Sequence, residues 1–172
     1  MKIIFISDIH GKTPNLYKIN SIFYKEKADL LIDLGDSIYS SPRYESNPDY
    51  SNIEVENILA SFKEKCICLR GNCDIIRMSK IIYHDYYKLD VDGYTFHLSH
   101  INPRIKDSYN QIYIYGHEHI PYIKKSNNLE ICVGSISFPR GGSVATYMIY
   151  ENKKFTIYDF EGNVVDSYKI GE

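Results

Sequence analysis

The chain has 172 residues, 44% hydrophobic and 24% charged, which is enough to build one domain (residues 1–172) around a core that needs no staples. A net charge of −2 excludes the basic excess with which proteins hold long nucleic acid or an anionic membrane surface. The 17 tyrosines and absent tryptophan read as compositional drift, with extra aromatic surface for a homo-oligomer as the alternative.

The first predicted element is a buried strand, Ile3-Ile4-Phe5-Ile6, running into Ser7-Asp8-Ile9-His10-Gly11. On extended backbone, residues two apart project to one side, so a strand leaving the core after Ile6 aims Asp8 and His10 at one point. Thr13-Pro14 then reads as an N-cap followed by proline at the first helical position, and Leu16, Ile19, Ile22 and Phe23 recur at helical spacing to about Lys27. Residues 29–34 form a second strand, ending in Gly35-Asp36. Residues 37–50 carry two prolines and no periodicity, a long loop of the kind that is usually functional or disordered. Ser51-x-x-Glu54 is a capping box, and Val55, Ile58, Leu59 and Phe62 supply the apolar face of a second helix. A third strand over 65–70 ends in Gly71-Asn72-Cys73-Asp74. This β-α-β-α-β order implies parallel strands joined by right-handed crossovers.

From Tyr86 the period shortens to two. Strands over 87–91 and 94–98 flank Asp92-Gly93, a hairpin signal, and the second runs into Ser99-His100. Ile112-Tyr113-Ile114-Tyr115 is a further strand, ending in Gly116-His117-Glu118-His119. Short strands punctuated by Asn127-Asn128, Glu151-Asn152 and Glu161-Gly162-Asn163 complete the chain, with Ser135 to Gly142 as a loop among them.

Cys66, Cys68, Cys73 and Cys132 lack paired C-x-x-C spacing, which argues against a structural zinc site. Three of them crowd near one strand, where disulfides are geometrically difficult, so a reducing compartment is expected. Only four consecutive apolar residues precede Asp8, too few for a signal peptide or a membrane span. The expectation is a cytoplasmic protein with no membrane partner.

Five strand ends thus carry metal-ligand chemistry: Asp8 and His10, Asp36, Asn72, His100, then His117 and His119. Singly, each of Asp8, Asp36 and Asn72 reads first as a turn or capping residue, because Asp and Asn favour turns after strands. In sheets built from β-α-β units, however, ligands bind beyond the carboxyl ends of the strands, so the spacing assembles one site. Seven carboxylate, amide and imidazole ligands exceed one tetrahedral ion and suit two adjacent ions of intermediate softness. His84 and His97 read as structural.

Asp8-x-His10, Gly35-Asp36, Gly71-Asn72-x-Asp74, His100 and Gly116-His117-x-His119 resemble, in order, the signature of the calcineurin-like metallophosphoesterases. With Pro42-Arg43, Gly134-Ser135-Ile136-Ser137 and Pro139-Arg140-Gly141-Gly142, the resemblance extends to small bacterial phosphodiesterases of the YfcE type over nearly the whole chain. It implies a four-layer α/β/β/α sandwich of two mixed sheets. It also implies that Asp8, His10, Asp36 and His119 hold one divalent metal, and Asp36, Asn72, His100 and His117 the other. The two ions would be manganese, with zinc, iron, cobalt and nickel as the other candidates. A water or hydroxide shared between them would hydrolyse a small phosphate diester. A phosphomonoesterase, a cyclic-nucleotide hydrolase and a retromer-type scaffold are the alternatives that this fold brings.

Asp36 and Asn72 carry that catalytic assignment, with Asp74 orienting the site from behind. Arg43 is a candidate phosphate contact or, equally, an ion-pair partner of Glu45 or Asp49; Arg140 either contacts substrate or belongs to a turn. Cys73 stands where larger members of the superfamily place the histidine that protonates the leaving group, and a thiol replaces it poorly at neutral pH. This implies a preference for diesters with stable leaving groups. His100-Ile101-Asn102 departs from the common His-Gly-His, which puts a secondary phosphate contact in question. Asp33, inside an apolar strand, has no evident role at this level.

Overall fold

The computed structural model describes residues 1–38, 47–74, 81–103 and 109–171. Arg43 lies outside these residues. The strands are β1 Ile3–Ile6, β2 Leu30–Asp33, β3 Cys66–Leu69, β4 Tyr83–His84, β5 Tyr86–Val91, β6 Tyr94–Ser99, β7 Ile112–Tyr115, β8 Tyr122–Lys125, β9 Leu129–Cys132, β10 Thr146–Glu151, β11 Lys154–Asp159 and β12 Val164–Lys169; the helices are α1 Pro14–Lys25 and α2 Asn52–Ser61. They form a seven-stranded sheet in the order β12-β11-β10-β1-β2-β3-β4 and a five-stranded sheet in the order β5-β6-β7-β9-β8.

β1 to β4 are parallel, and β10 joins β1 antiparallel, bringing the β10-β11-β12 meander into the first sheet. The second sheet is also mixed: β6, β7 and β9 run parallel, with β5 and β8 antiparallel at its two edges. β1 is buried on both faces, as its unbroken apolar run requires. Ile3 and Phe5 pack between the sheets with Leu98, Ile114 and Tyr150, while Ile4 and Ile6 pack against Leu16 and Ile19 of α1 and Leu59 of α2. Both described α-helices therefore cover the outer face of the seven-stranded sheet, and among the described residues no α-helix covers the outer face of the other.

Local signals were realised with two changes. Asp92 and Gly93 both have positive φ, 52° and 84°, as a tight hairpin turn between right-twisted strands demands. Ser51 caps α2, accepting from Glu54 N at 3.2 Å, but the Glu54 carboxylate turns to Tyr17 Oη at 2.7 Å, so only half of the capping box forms. Thr13 stands at the N-cap of α1 without capping it; its hydroxyl donates to Asp49 O at 3.2 Å and ties the long loop's end to the loop after β1.

Asp33 also gains an account. Its fully buried carboxylate accepts from Gly35 N at 3.2 Å and from the Ser37 hydroxyl, shaping the turn that presents Asp36. Burial pushes its pKa up from 3.8 to about 7. The folded protein therefore keeps a proton between these values that the unfolded chain has released, and the associated stability is lost as pH rises through about 7. In metal-free protein, Asp33→Asn, which keeps an acceptor for Gly35 N and offers the Ser37 oxygen an N–H in place of the acceptor its hydroxyl now uses, should flatten the fall in Tm between pH 5 and pH 8. An unchanged slope in a thermal melt series would assign that dependence to another group.

Candidate metal centre

The site forms where the carboxyl ends of β1, β2, β3, β6 and β7 meet. Asp8 and His10 do not sit on an extended strand as expected. β1 stops at Ile6, and both residues adopt left-handed backbone, φ 56° and 49°, in the loop beyond. Asp36, His117 and His119 do the same, with φ 54°, 67° and 60°. Each such non-glycine residue costs of order 1–3 kcal/mol and persists only where its surroundings over-determine it.

The surroundings here are a zip of backbone hydrogen bonds between the loops after β1 and β2. Asp8 N donates to Gly35 O at 2.9 Å, His10 N to Asp36 O at 2.8 Å and Gly11 N to Ser37 O at 2.9 Å. The second sheet is tied in across the gap: His117 N donates to Asp8 Oδ2 at 2.9 Å and His100 Nδ1 to Leu34 O at 3.0 Å. Glycines make the approach feasible. A Cβ on Gly71 would lie 2.0 Å from Asp36 Oδ1, and one on Gly116 would lie 1.8 Å from Ser7 Oγ.

The side chains converge as two clusters. In the first, His119 Nε2 lies 3.1 Å and His10 Nε2 3.7 Å from Asp8 Oδ1, and the two nitrogens are 3.3 Å apart. In the second, His100 Nε2 lies 3.4 Å from Asp36 Oδ2 and 3.2 Å from Asn72 Oδ1, with His117 closing the group. Asp36 Oδ2 is also 3.7 Å from His10 Nε2, so one carboxylate oxygen faces both clusters.

These donors can hold cations. His100 and His119 give their Nδ1 to carbonyl acceptors, Leu34 O and Phe138 O, so each Nδ1 carries the proton and Nε2 faces the site. Asp8 Oδ1 is buried and accepts no hydrogen bond. Metal–donor bonds of about 2.0–2.2 Å separate neighbouring donors by roughly 3–3.5 Å; the separations here run from 3.1 to 3.7 Å, the two longest both involving His10. The electrostatics agree. Burial pushes the Asp8 carboxyl up, yet His10 and His119 hold it well below the carboxylate range. Burial likewise opposes ionisation of Asp36, but His100 lowers it. His100 is in turn raised: burial pushes it down and the Asp36 carboxylate more than offsets that.

Asp74 stands behind the site. Its Oδ2 accepts from Asp36 N at 2.9 Å and Gly71 N at 2.7 Å, and its Oδ1 from Ile38 N at 2.9 Å, so it fixes backbone rather than facing the donors. Cys73 faces the site beside His10 and Asp36, and its N–H donates to Asp36 Oδ1 at 2.7 Å. Burial, then Asp36, pushes the thiol up to about 12. Asn102 is turned away from the donors: its amide donates to Tyr115 Oη at 2.9 Å and to Glu130 Oε2 at 3.2 Å. The Arg140 main-chain N–H donates to His119 O at 3.1 Å, which ties its turn to the site. His84 packs edge-on against Tyr87 and His97 bonds Gln111, as structural residues. The supports that sequence reasoning missed, Leu34 O and Phe138 O, are backbone carbonyls with no side-chain signature.

Two mixed sheets deliver carboxylates and imidazoles, most of them buried, to one place, an arrangement able to hold metal ions. A family model of the calcineurin-like phosphoesterase superfamily domain matches residues 1–154. The chain belongs to that superfamily. Phosphodiesterase YfcE of Escherichia coli K12 is 28% identical over 168 residues, covering 91% of each chain. The solved structure of E. coli YfcE, a phosphoesterase, superposes with a TM-score of 0.86 at 26% identity, covering 99% of this chain and 100% of that one. Vacuolar Protein Sorting 29 from Cryptosporidium parvum shares the fold with a TM-score of 0.64 at 14% identity, over 98% and 97% of the two chains. No described helix is long and apolar enough to cross a membrane.

Proposed function

We propose that the protein is a metal-dependent phosphodiesterase acting on a small phosphate diester in the cytoplasm. The observation that carries this reading is Asp36 Oδ2, placed 3.7 Å from His10 Nε2 and 3.4 Å from His100 Nε2, where one oxygen could serve two adjacent cations. Asp8, His10 and His119 would complete the first site, and Asn72, His100 and His117 the second; manganese suits this mixture of oxygen and imidazole donors. Divalent cations held there would supply Lewis acidity, lowering the pKa of a bound water toward ~7 and neutralising charge on the phosphate oxygens.

The chain's own residues hold the donors. Asp74 and Cys73 N–H fix Asp36, and the carbonyls of Leu34 and Phe138 fix the two imidazoles. With its pKa raised, the Cys73 thiol is a much poorer general acid than an imidazolium would be at that position, which favours diesters with stable leaving groups over alkyl monoesters. The complete donor set favours an enzyme over the scaffold reading that the likeness to Vacuolar Protein Sorting 29 invites.

Metal-stripped protein should be inert toward a bis-aryl phosphodiester, regain turnover with manganese, and turn over the matching monoester more slowly. Turnover without metal, or with the monoester preferred, would overturn the proposal.

A further inference from the structure

We propose that Ser135 is a positioning residue that sets two of the three donors of the first cluster, Asp8 and His119, through one buried hydroxyl. This rests on the two-cation reading above. Ser135 is fully buried in the loop between β9 and β10, remote in sequence from both donors. Its hydroxyl donates to Asp8 O at 2.8 Å, and its oxygen accepts from Ser137 N at 3.1 Å and Phe138 N at 2.8 Å. One proton and two lone pairs are thereby all used.

The two arms reach different donors. The bond to Asp8 O, with Ile136 N donating to Ser7 O at 3.1 Å, grips the peptide groups around a residue whose φ is 56°. The other arm curls the loop so that Phe138 O receives His119 Nδ1 at 2.6 Å, leaving Nε2 to face Asp8 Oδ1. The loop also caps His119 O, through Arg140 N at 3.1 Å and Ser143 Oγ at 3.3 Å. Two donors of the second cluster have separate supports, His100 on Leu34 O and Asp36 on Cys73 N and Asp74; only His117, through its N–H to Asp8 Oδ2, shares a tie with the first.

Loss of the hydroxyl should therefore act mainly on one cation and much less on the other. Outer-shell partners are worth about 10–100-fold in metal affinity. In a chelator competition with manganese on the full chain, wild type should show two bound cations, and Ser135→Ala should weaken one by about that factor while shifting the other less than about 3-fold. Equal weakening of both, or of neither, overturns the proposal. A wild type that binds only one cation would sink the two-cation reading instead.

A second measurement needs no variant to fold. Ring-nitrogen NMR of metal-free wild type should show a proton on His119 Nδ1, bonded to Phe138 O; a ring whose Nδ1 is bare would overturn the assignment. In Ser135→Ala part of the population should lose that Nδ1 proton.

Discussion

Asp36→Asn is expected to abolish cation binding at both positions, whereas His10→Ala should chiefly weaken one. Asp36 Oδ1 accepts the Cys73 N–H at 2.7 Å, so an asparagine keeps its carbonyl there and turns its NH₂ toward the site. That group has two hydrogens and no lone pair for a cation. It would stand where Oδ2 now lies, 3.4 Å from His100 Nε2 and 3.7 Å from His10 Nε2. A direct ligand must be worth more than the about 10–100-fold in affinity or activity that its supporting partners contribute, so activity should fall by more than about 100-fold. The same substitution removes the carboxylate charge that pairs with His100, so near neutral pH the metal-free variant should melt somewhat below metal-free wild type. Calorimetric titration with manganese and a metal-free thermal melt check both halves. Retention of one tight site in Asp36→Asn would show that this carboxylate does not serve two ions.

Gly71→Ala should be nearly as damaging, although Gly71 presents no functional group. Its added Cβ would meet Asp36 Oδ1 at 2.0 Å and Asp36 N at 2.2 Å, and neither is the free end of a flexible chain. Relief requires the loops after β2 and β3 to separate, which breaks the shared grip of Asp74 on Gly71 N and Asp36 N. Overpacking of this kind costs about 1–3 kcal/mol, with each kcal/mol lowering Tm by roughly 2–4 °C at this chain length. Activity should fall with it, because Asp36 is the group displaced. Gly93→Ala, with nothing within 4 Å of its Cβ, tests backbone strain without the clash and should leave activity intact.

The parts of the fold legible in the sequence were those set by short-range patterns. The crossover units β1-α1-β2 and β2-α2-β3, the Asp92-Gly93 hairpin and the strand ends bearing Asp36, Asn72, His100, His117 and His119 all follow from periodicity and turn residues. The partner of β1 did not: β10 lies across most of the chain, and nothing in Thr146–Glu151 says which edge it joins. The left-handed backbone at Asp8 and His10 was equally hidden. These residue types do not demand positive φ; the hydrogen bonds from the loop after β2 impose it. Convergence of the two side chains was read correctly from a strand geometry that the chain does not use. Asp33 looked misplaced because its partners, Gly35 N and Ser37, are fixed by the turn it builds.

The position of β1 between β2 and β10 has a consequence for biosynthesis. β1 pairs early with β2, but its other edge waits for a strand about 140 residues downstream. At about 5–20 residues per second on a ribosome, that leaves the edge of Ile3–Phe5 open for roughly 7–30 s. An apolar strand with unpaired N–H and C=O groups is a template for intermolecular pairing. Nascent chains stalled before Thr146 should therefore aggregate or recruit chaperones, and supply of the β10-β11-β12 segment in trans should suppress this.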